Sequence, residues 1–273
     1  MAMRIIKESI WIGWKIESNW TDPFIFFSYI IVKPLAYVII IGLIFLIGSE
    51  VVNNEYFSYS FIGAVFFIYP LTMIISLGYL IHEDRAKYEV LKNIYIAPNA
   101  IKFYIIGRAL ASAINASVSV IISIVVGGFI FSNFGLGLDL ELDIINYLLL
   151  IISLILGIVA FSFMGMILTS INLLTNKLQF SLSEYSSGIL FLFSGVVFPP
   201  TMLPEPLYLF SYSFPTTHFL ELVRVSLNGS FALSPLINMI ITTSITIVIS
   251  IMLFNHADNR ARELGIIDRK AEY

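Results

Sequence analysis

YSFIGAVFFIYPLTMIISLGYLI, residues 59–81, runs directly into HEDRAKYEVLKNIYIAP, residues 82–98. The first string has no charged residue and is long enough to cross a hydrocarbon core of roughly 30 Å, which takes about 20 helical residues. The second carries Arg85, Lys87 and Lys92, and basic segments beside a span stay on the cytoplasmic side. This one junction predicts both a membrane crossing and its direction.

Five further apolar stretches extend the pattern: Phe24–Gly48, Ile101–Phe131, Ile144–Ile171, Phe180–Phe198 and Ser234–Phe254. Residues 50–58 and 132–143 hold acidic residues and no Lys or Arg, whereas the stretch from His82 to Arg108 adds Lys102 and Arg108 to the basic residues already named. Lys177 follows the fourth stretch, and Arg260, Arg262, Arg269 and Lys270 follow the sixth. Of the fifteen Lys and Arg, only Arg224 falls in a predicted outside segment. The expected fold is an all-α, multi-pass protein of the cell membrane with six transmembrane helices, both termini cytoplasmic, and residues 1–273 forming one transmembrane domain.

Composition excludes several classes. With 58% hydrophobic and 12% charged residues, the chain has too little polar surface to coat a soluble globule, so lipid must cover the excess. A net charge of −3 with scattered acidic residues gives no footprint for nucleic acid. The absence of cysteine excludes disulfides, thiol catalysis and Cys-ligated metals.

Three segments outside the spans carry pattern. Over residues 1–22, Arg4, Lys7, Glu8, Lys15 and Ser18 share one helical wedge with Trp11, which predicts an interfacial amphipathic helix serving as an anchor or as a docking surface. Over 82–98, His82, Arg85, Glu89, Lys92 and Asn93 share a polar face, Arg85 and Glu89 are spaced to pair, and Pro98 ends the helix. Such a helix on the basic side suits a soluble partner. Residues 199–233 contain Pro199, Pro200, Pro204, Pro206 and Pro215 among apolar pieces too short to span, which predicts an outer re-entrant segment. Residues 255–273 form a cytoplasmic tail.

FSGVVFPPTMLPEPLYLFSYSFPTTHFLELVRVSLNG, residues 193–229, resembles the outer half-helix region of type-2 ABC exporter permeases, with its Gly, Phe-Pro, Leu-Pro, Pro-Thr, acidic residue, Arg and final Gly. Pro199, Pro204, Pro215, Glu221 and Arg224 carry that motif. HEDRAKYEVLKNIYIAPNAIKFYIIGRAL, residues 82–110, is similar to the same family's coupling helix, with Lys87, Tyr88 and Glu89 where the family commonly has Gly-Thr-Leu. The resemblance implies that His82, Glu83, Arg85, Glu89 and Lys92 face an ATPase. It also implies a half-transporter that works beside a second permease, as homodimer or heterodimer, above two cytoplasmic ABC ATPase subunits. No GxxxxGK[ST] phosphate loop occurs in the chain, so ATP and Mg are expected in the partner ATPase and no cofactor in this chain.

Some residues invite other readings. Glu184 lies in the fifth apolar run, where a carboxylate at mid-membrane costs about 2.5–3.5 kcal/mol on insertion scales; it lines a translocation path or sits near the headgroups. Lys33 precedes Pro34 in the first span and pairs with a carboxylate or serves a local kink. His218, Glu221 and Arg224, spaced i, i+3, i+6, would be the acid–base set of a membrane enzyme acting on lipid, and a carrier or an assembly protein is the remaining alternative. A carrier would bury several paired ionisable groups at mid-membrane, and only Glu184 and Lys33 fall there. Ser119, Ser123 and Gly127 recur every four residues, spacing suited to close helix packing.

The charge asymmetry makes a topological prediction. Cysteines introduced at Asn53 and Gly137 should react with an impermeant thiol reagent applied to intact cells, and one introduced at Asn176 should be protected; the opposite pattern would invert the orientation.

Overall fold

The computed structural model describes residues 2–19, 23–47, 54–97, 100–136, 143–175, 181–229 and 232–268. Among these residues every extended element is helical. The helices are α1 (Ala2–Asn19), α2 (Pro23–Ile47), α3 (Asn54–Phe66), α4 (Ile68–His82), α5 (Leu91–Ile96), α6 (Ala100–Ser132), α7 (Ile144–Leu174), α8 (Ser181–Phe193), α9 (Glu205–Tyr212), α10 (Pro215–Leu227) and α11 (Leu233–Glu263). Pro98, Lys177, Arg269 and Lys270 lie outside the described residues, as do the side chain of Lys33 and the three labelling positions.

Four helical stretches are long and apolar enough to cross a membrane: Tyr56–Arg85, Ala100–Ser132, Ile144–Leu174 and Leu233–Glu263. The apolar part of α2 is a shorter run, Ile30–Leu46. Of the fifth expected span only Ser181–Phe193 is helical, a length of about 20 Å at 1.5 Å per residue. Its predicted continuation to Phe198 is a turn, because Gly195 takes a left-handed φ of 72° that a Cβ would block against Pro200 at 2.7 Å.

The Tyr56–Arg85 stretch is the central element and mostly buried, whereas the Leu233–Glu263 stretch is mostly exposed along its apolar length. Helix α11 turns Ile237, Ile241, Ile245 and Val248 outward, all more than half exposed, which is the surface lipid covers. Between helices, lipid tails are as apolar as leucine, so association rests on close packing and hydrogen bonds. Three glycines mark close packing between these helices. A Cβ on Gly165 of α7 would stand 2.7 Å from the Leu77 Cβ of α4, one on Gly157 would meet the Phe219 ring of α10 at 2.7 Å, and one on Gly42 of α2 would strike the Phe131 ring of α6. Phe131 in turn packs edge-on against Phe57 and Phe61 of α3.

Two prolines interrupt helical hydrogen bonding inside the apolar layer. Pro70 cannot donate to Phe66 four residues back, and the chain divides there into α3 and α4. Pro34 likewise leaves the carbonyl of Ile30 without its helical donor, and the Ser119 hydroxyl of α6 donates to it at 3.2 Å. The small residue that packing alone would explain thus has a second role.

Gly165→Val should cost on the order of 1–3 kcal/mol through overpacking, whereas Gly188→Ala, whose Cβ meets nothing within 4 Å, should leave stability equal or raised. The thermal midpoints of the two purified variants in detergent check this.

Candidate functional site

At its C-terminal end α4 widens into a π-helical turn over Glu83–Lys87, closed by Tyr88 N–H donating to Glu83 O at 2.9 Å and Val90 N–H donating to Asp84 O at 2.9 Å. Glu89 then takes a left-handed φ of 51°, and α5 begins at Leu91. The expected single helix from His82 to Pro98 is therefore divided: a non-glycine residue at positive φ cannot continue a right-handed helix.

The division sends neighbouring side chains to different partners. Asp84 is fully buried and faces Arg108 of α6 at 3.7 Å; Glu83 meets the same guanidinium at 3.7 Å, and Arg108 donates to the Tyr104 hydroxyl at 3.1 Å. Arg85 points away from this cluster and donates to Leu173 O at 3.1 Å, in the last turn of α7, where free carbonyls and the helix dipole favour a cation. Thr169 and Asn172 of α7 donate to Leu77 O and Gly78 O of α4 at 2.9 and 2.7 Å, so the two helix ends are tied at three points. Of the predicted polar face, Glu89, Lys92 and Asn93 are exposed, His82 is half-buried and Arg85 is buried.

Helix α5 is held from behind by the end of α11. The Arg262 guanidinium lies 4.8 Å from the centre of the Tyr95 ring and pairs with Asp258 at 3.2 Å, while burial, with the Asp258 carboxylate beside it, pushes the Tyr95 hydroxyl well above its ordinary pKa. Lys102 ties α6 to Asn255 of α11 at 2.7 Å. This clamp had no sequence signal beyond basic residues in a tail. Helix α1 lies across α6 through Ser9 and Gly13, with a Cβ on Gly107 meeting Ser9 at 2.4 Å; Trp11, opposite, is 56% exposed. The amphipathic wedge was legible, but the small-residue seam beneath it was not.

On the other side, Arg224 of α10 organises the broken segment. Its Nε donates to Tyr59 O at 3.1 Å, its Nη2 donates to Gly195 O at 2.8 Å and Val196 O at 3.1 Å, and its guanidinium stacks 3.5 Å over the Tyr59 ring. Burial lowers its pKa to about 10, opposed by Tyr59 and Glu221, so it stays cationic at neutral pH. Gly63 makes room, since a Cβ there would meet Val196 O at 2.1 Å. Pro199 precedes a short 3₁₀ turn, Pro204 precedes α9 and Pro215 opens α10, places where a missing N–H costs nothing. Ser211 donates to Phe193 O, and Thr217 to Ser211 O at 2.7 Å.

His218 is 1% exposed, hydrogen-bonded through Nε2 to Tyr212 O at 2.9 Å, and 3.8 Å from Glu221. The spacing does bring His218 to Glu221, but Arg224 is committed to backbone carbonyls, so the three form no common anion site. Glu184 of α8 is exposed and accepts from the Tyr79 hydroxyl at 2.8 Å. No group of three or more His, Asp or Glu side chains able to hold a metal occurs among the described residues.

An all-helical membrane domain with a divided helix on its basic side and an arginine-pinned break on the other meets one family model, that of the ABC-2 type transporter, over residues 7–228. The chain belongs to the ABC-2 type transporter family. It is a permease component, embedded in a membrane through several apolar helices. No curated protein matches it. The α11 side of the clamp, Asn255, Asp258 and Arg262, lies beyond the matched residues, whereas Tyr95, Arg108, Glu221 and Arg224 fall within them.

Arg224→Ala strands the carbonyls of Gly195 and Val196 and removes the bond to Tyr59 O, and should destabilise the protein by on the order of 3 kcal/mol or more, since hydrogen bonds to charged groups are worth about 1.5–3 kcal/mol each. Arg224→Lys should recover only part, because an ammonium lacks the planar fork that reaches separate acceptors. Unfolding midpoints in detergent measure both.

Proposed function

We propose that this permease is the membrane half of an ATP-driven exporter, paired with a second permease and driven by two separate cytoplasmic ABC ATPase subunits that bind ATP and Mg. The observation that carries the reading is the family match over 7–228 in a chain without a phosphate loop. In this reading six segments cross the cell membrane, α2, α3–α4, α6, α7, α8 with its flanks, and α11, and both termini are cytoplasmic. The basic residues around α5 and at the end of α11 support that orientation.

The docking surface is α5 and the turn before it. Glu89, Lys92 and Asn93 are exposed there, while α5 is braced by Tyr95 against α11, and α4 by Arg85 and Arg108 against α7 and α6. A push on a surface braced in this way passes to three long helices rather than being absorbed locally. Arg85 belongs to the brace and not to the docking face. Glu184 and the outward face of α8 belong to the wall of the path between two permeases. The chain itself is not an enzyme, and the enclosed His218 supports a packing role.

Charge reversal at the exposed positions, Glu89→Lys with Lys92→Glu, should leave the thermal midpoint of the permease unchanged and reduce co-purification of its ABC ATPase about tenfold or more, as inverting desolvated charges at an interface costs several kcal/mol. The purified permease alone should not hydrolyse ATP. Hydrolysis by the single chain, or unchanged ATPase recovery with the reversed pair, would remove the support for this reading.

A further inference from the structure

Helices α2 and α4 both rest on α6 yet scarcely touch each other. The gap between them is a cavity of about 240 Å³. Its walls are apolar on the flanks, with Ile30 and Pro34 from α2 and Ile68, Leu71 and Ile75 from α4. Its floor is the polar row of α6. Away from the cytoplasm the row reaches Gly127, where a Cβ would meet Val38 of α2 and Phe61 of α3 at 2.9 and 3.0 Å, so these helices close over it. Glu83, Lys87 and Arg108 stand at the cytoplasmic end beneath α1, and Tyr37, 40% exposed, marks an opening between α2 and its surroundings.

The floor contains an unmet demand. Ser112 bonds Ser76 at 2.6 Å and Ser119 bonds Ile30 O at 3.2 Å. Asn115, one turn from each, is 5% exposed, lines the cavity, and its buried Oδ1 accepts no hydrogen bond. A buried acceptor left unmet is destabilising. The Tyr88 hydroxyl, on the cytoplasmic side of the same cavity, is also buried without a hydrogen-bond partner. Glu83, Lys87 and Arg108 line that end, and the buried Asp84, 3.7 Å from Arg108, balances the second cation. Together these features select a ligand with a hydroxyl or amide donor, a hydrocarbon body and no net charge.

We propose that the α2–α4–α6 cavity binds an uncharged amphiphile of the monoacylglycerol type, its hydroxyl donating to Asn115 and its chain leaving past Tyr37 into lipid. The volume falls below the roughly 300–1,000 Å³ of a pocket that encloses a whole drug-sized ligand. It suits a polar neck whose tail stays outside.

The test uses the purified full-length chain in detergent, without ATP or any partner, so its outcome is separate from that of the exporter reading. Thermal midpoints are compared in 1-monoolein, in methyl oleate, which has the same chain and no donor, and in oleoyl lysophosphatidylglycerol, which is anionic. A saturable upward shift with monoolein, smaller or absent with the other two, is expected. Asn115→Leu should abolish the shift while leaving the ligand-free midpoint equal or higher, because it removes an unpartnered polar group. Thr72→Phe, which fills the cavity from the α4 side, should abolish it independently if Asn115→Leu does not fold. No shift with monoolein, an equal shift with methyl oleate, a larger one with the anionic lipid, or a shift that survives either folded variant would overturn the proposal.

Discussion

A backbone carbonyl freed inside an apolar layer has no water to turn to, and supplying its partner from another helix is the constraint on which this structure turns. Arg224 answers it for Gly195 O and Val196 O in the turn after α8, and bonds Tyr59 O of α3 besides, so joining α10 to both. Ser119 answers it where Pro34 withdraws a donor, fixing α2 on α6. Arg85 answers it at the end of α7. Each solution is also a tether between elements distant in sequence, so satisfaction of the backbone and assembly of the bundle are one event.

The C-terminal end of α4 shows what the tethers accomplish. The π-helical turn after α4 places Asp84 against Arg108 and turns Arg85 to the far side, against α7. A uniform α-helix from His82 onward would have presented both Arg85 and Glu89 on one exposed face. The divided form instead commits one to the interior and leaves the other, with Lys92 and Asn93, on the surface. Stiffness behind an exposed surface is the arrangement a docking element needs, and the Arg262–Tyr95–Asp258 contact extends it to the C-terminal end of α11.

The all-helical class and the four long apolar spans were readable from the sequence, because length and hydropathy act locally and need no partner. The prolines after α8 signalled a break, since Pro imposes its backbone preference wherever it stands, but the helix ends earlier than they indicated, at Phe193 before the left-handed Gly195. The destination of Arg224 was not readable: its sequence neighbours, His218 and Glu221, suggested a polar constellation, whereas its ligands come from residues 59, 195 and 196.

By itself the sequence determined a helical membrane permease and its apolar layer. Only the tertiary structure decided which face of each interruption is buried. Periodicity put Arg85 on the same face as Lys92, but a left-handed Glu89 and a single turn of wider helix separated them. It placed Ser119 in a packing stripe, but the carbonyl it bonds was freed by a proline 85 residues away in the chain. Asn115 was silent in sequence, and became an unpartnered acceptor only because α2 and α4 lie on α6 without closing on each other. Hydropathy records what a residue prefers to leave, and hydrogen-bond partners are set by which distant backbone groups the packing brings within 3 Å or so.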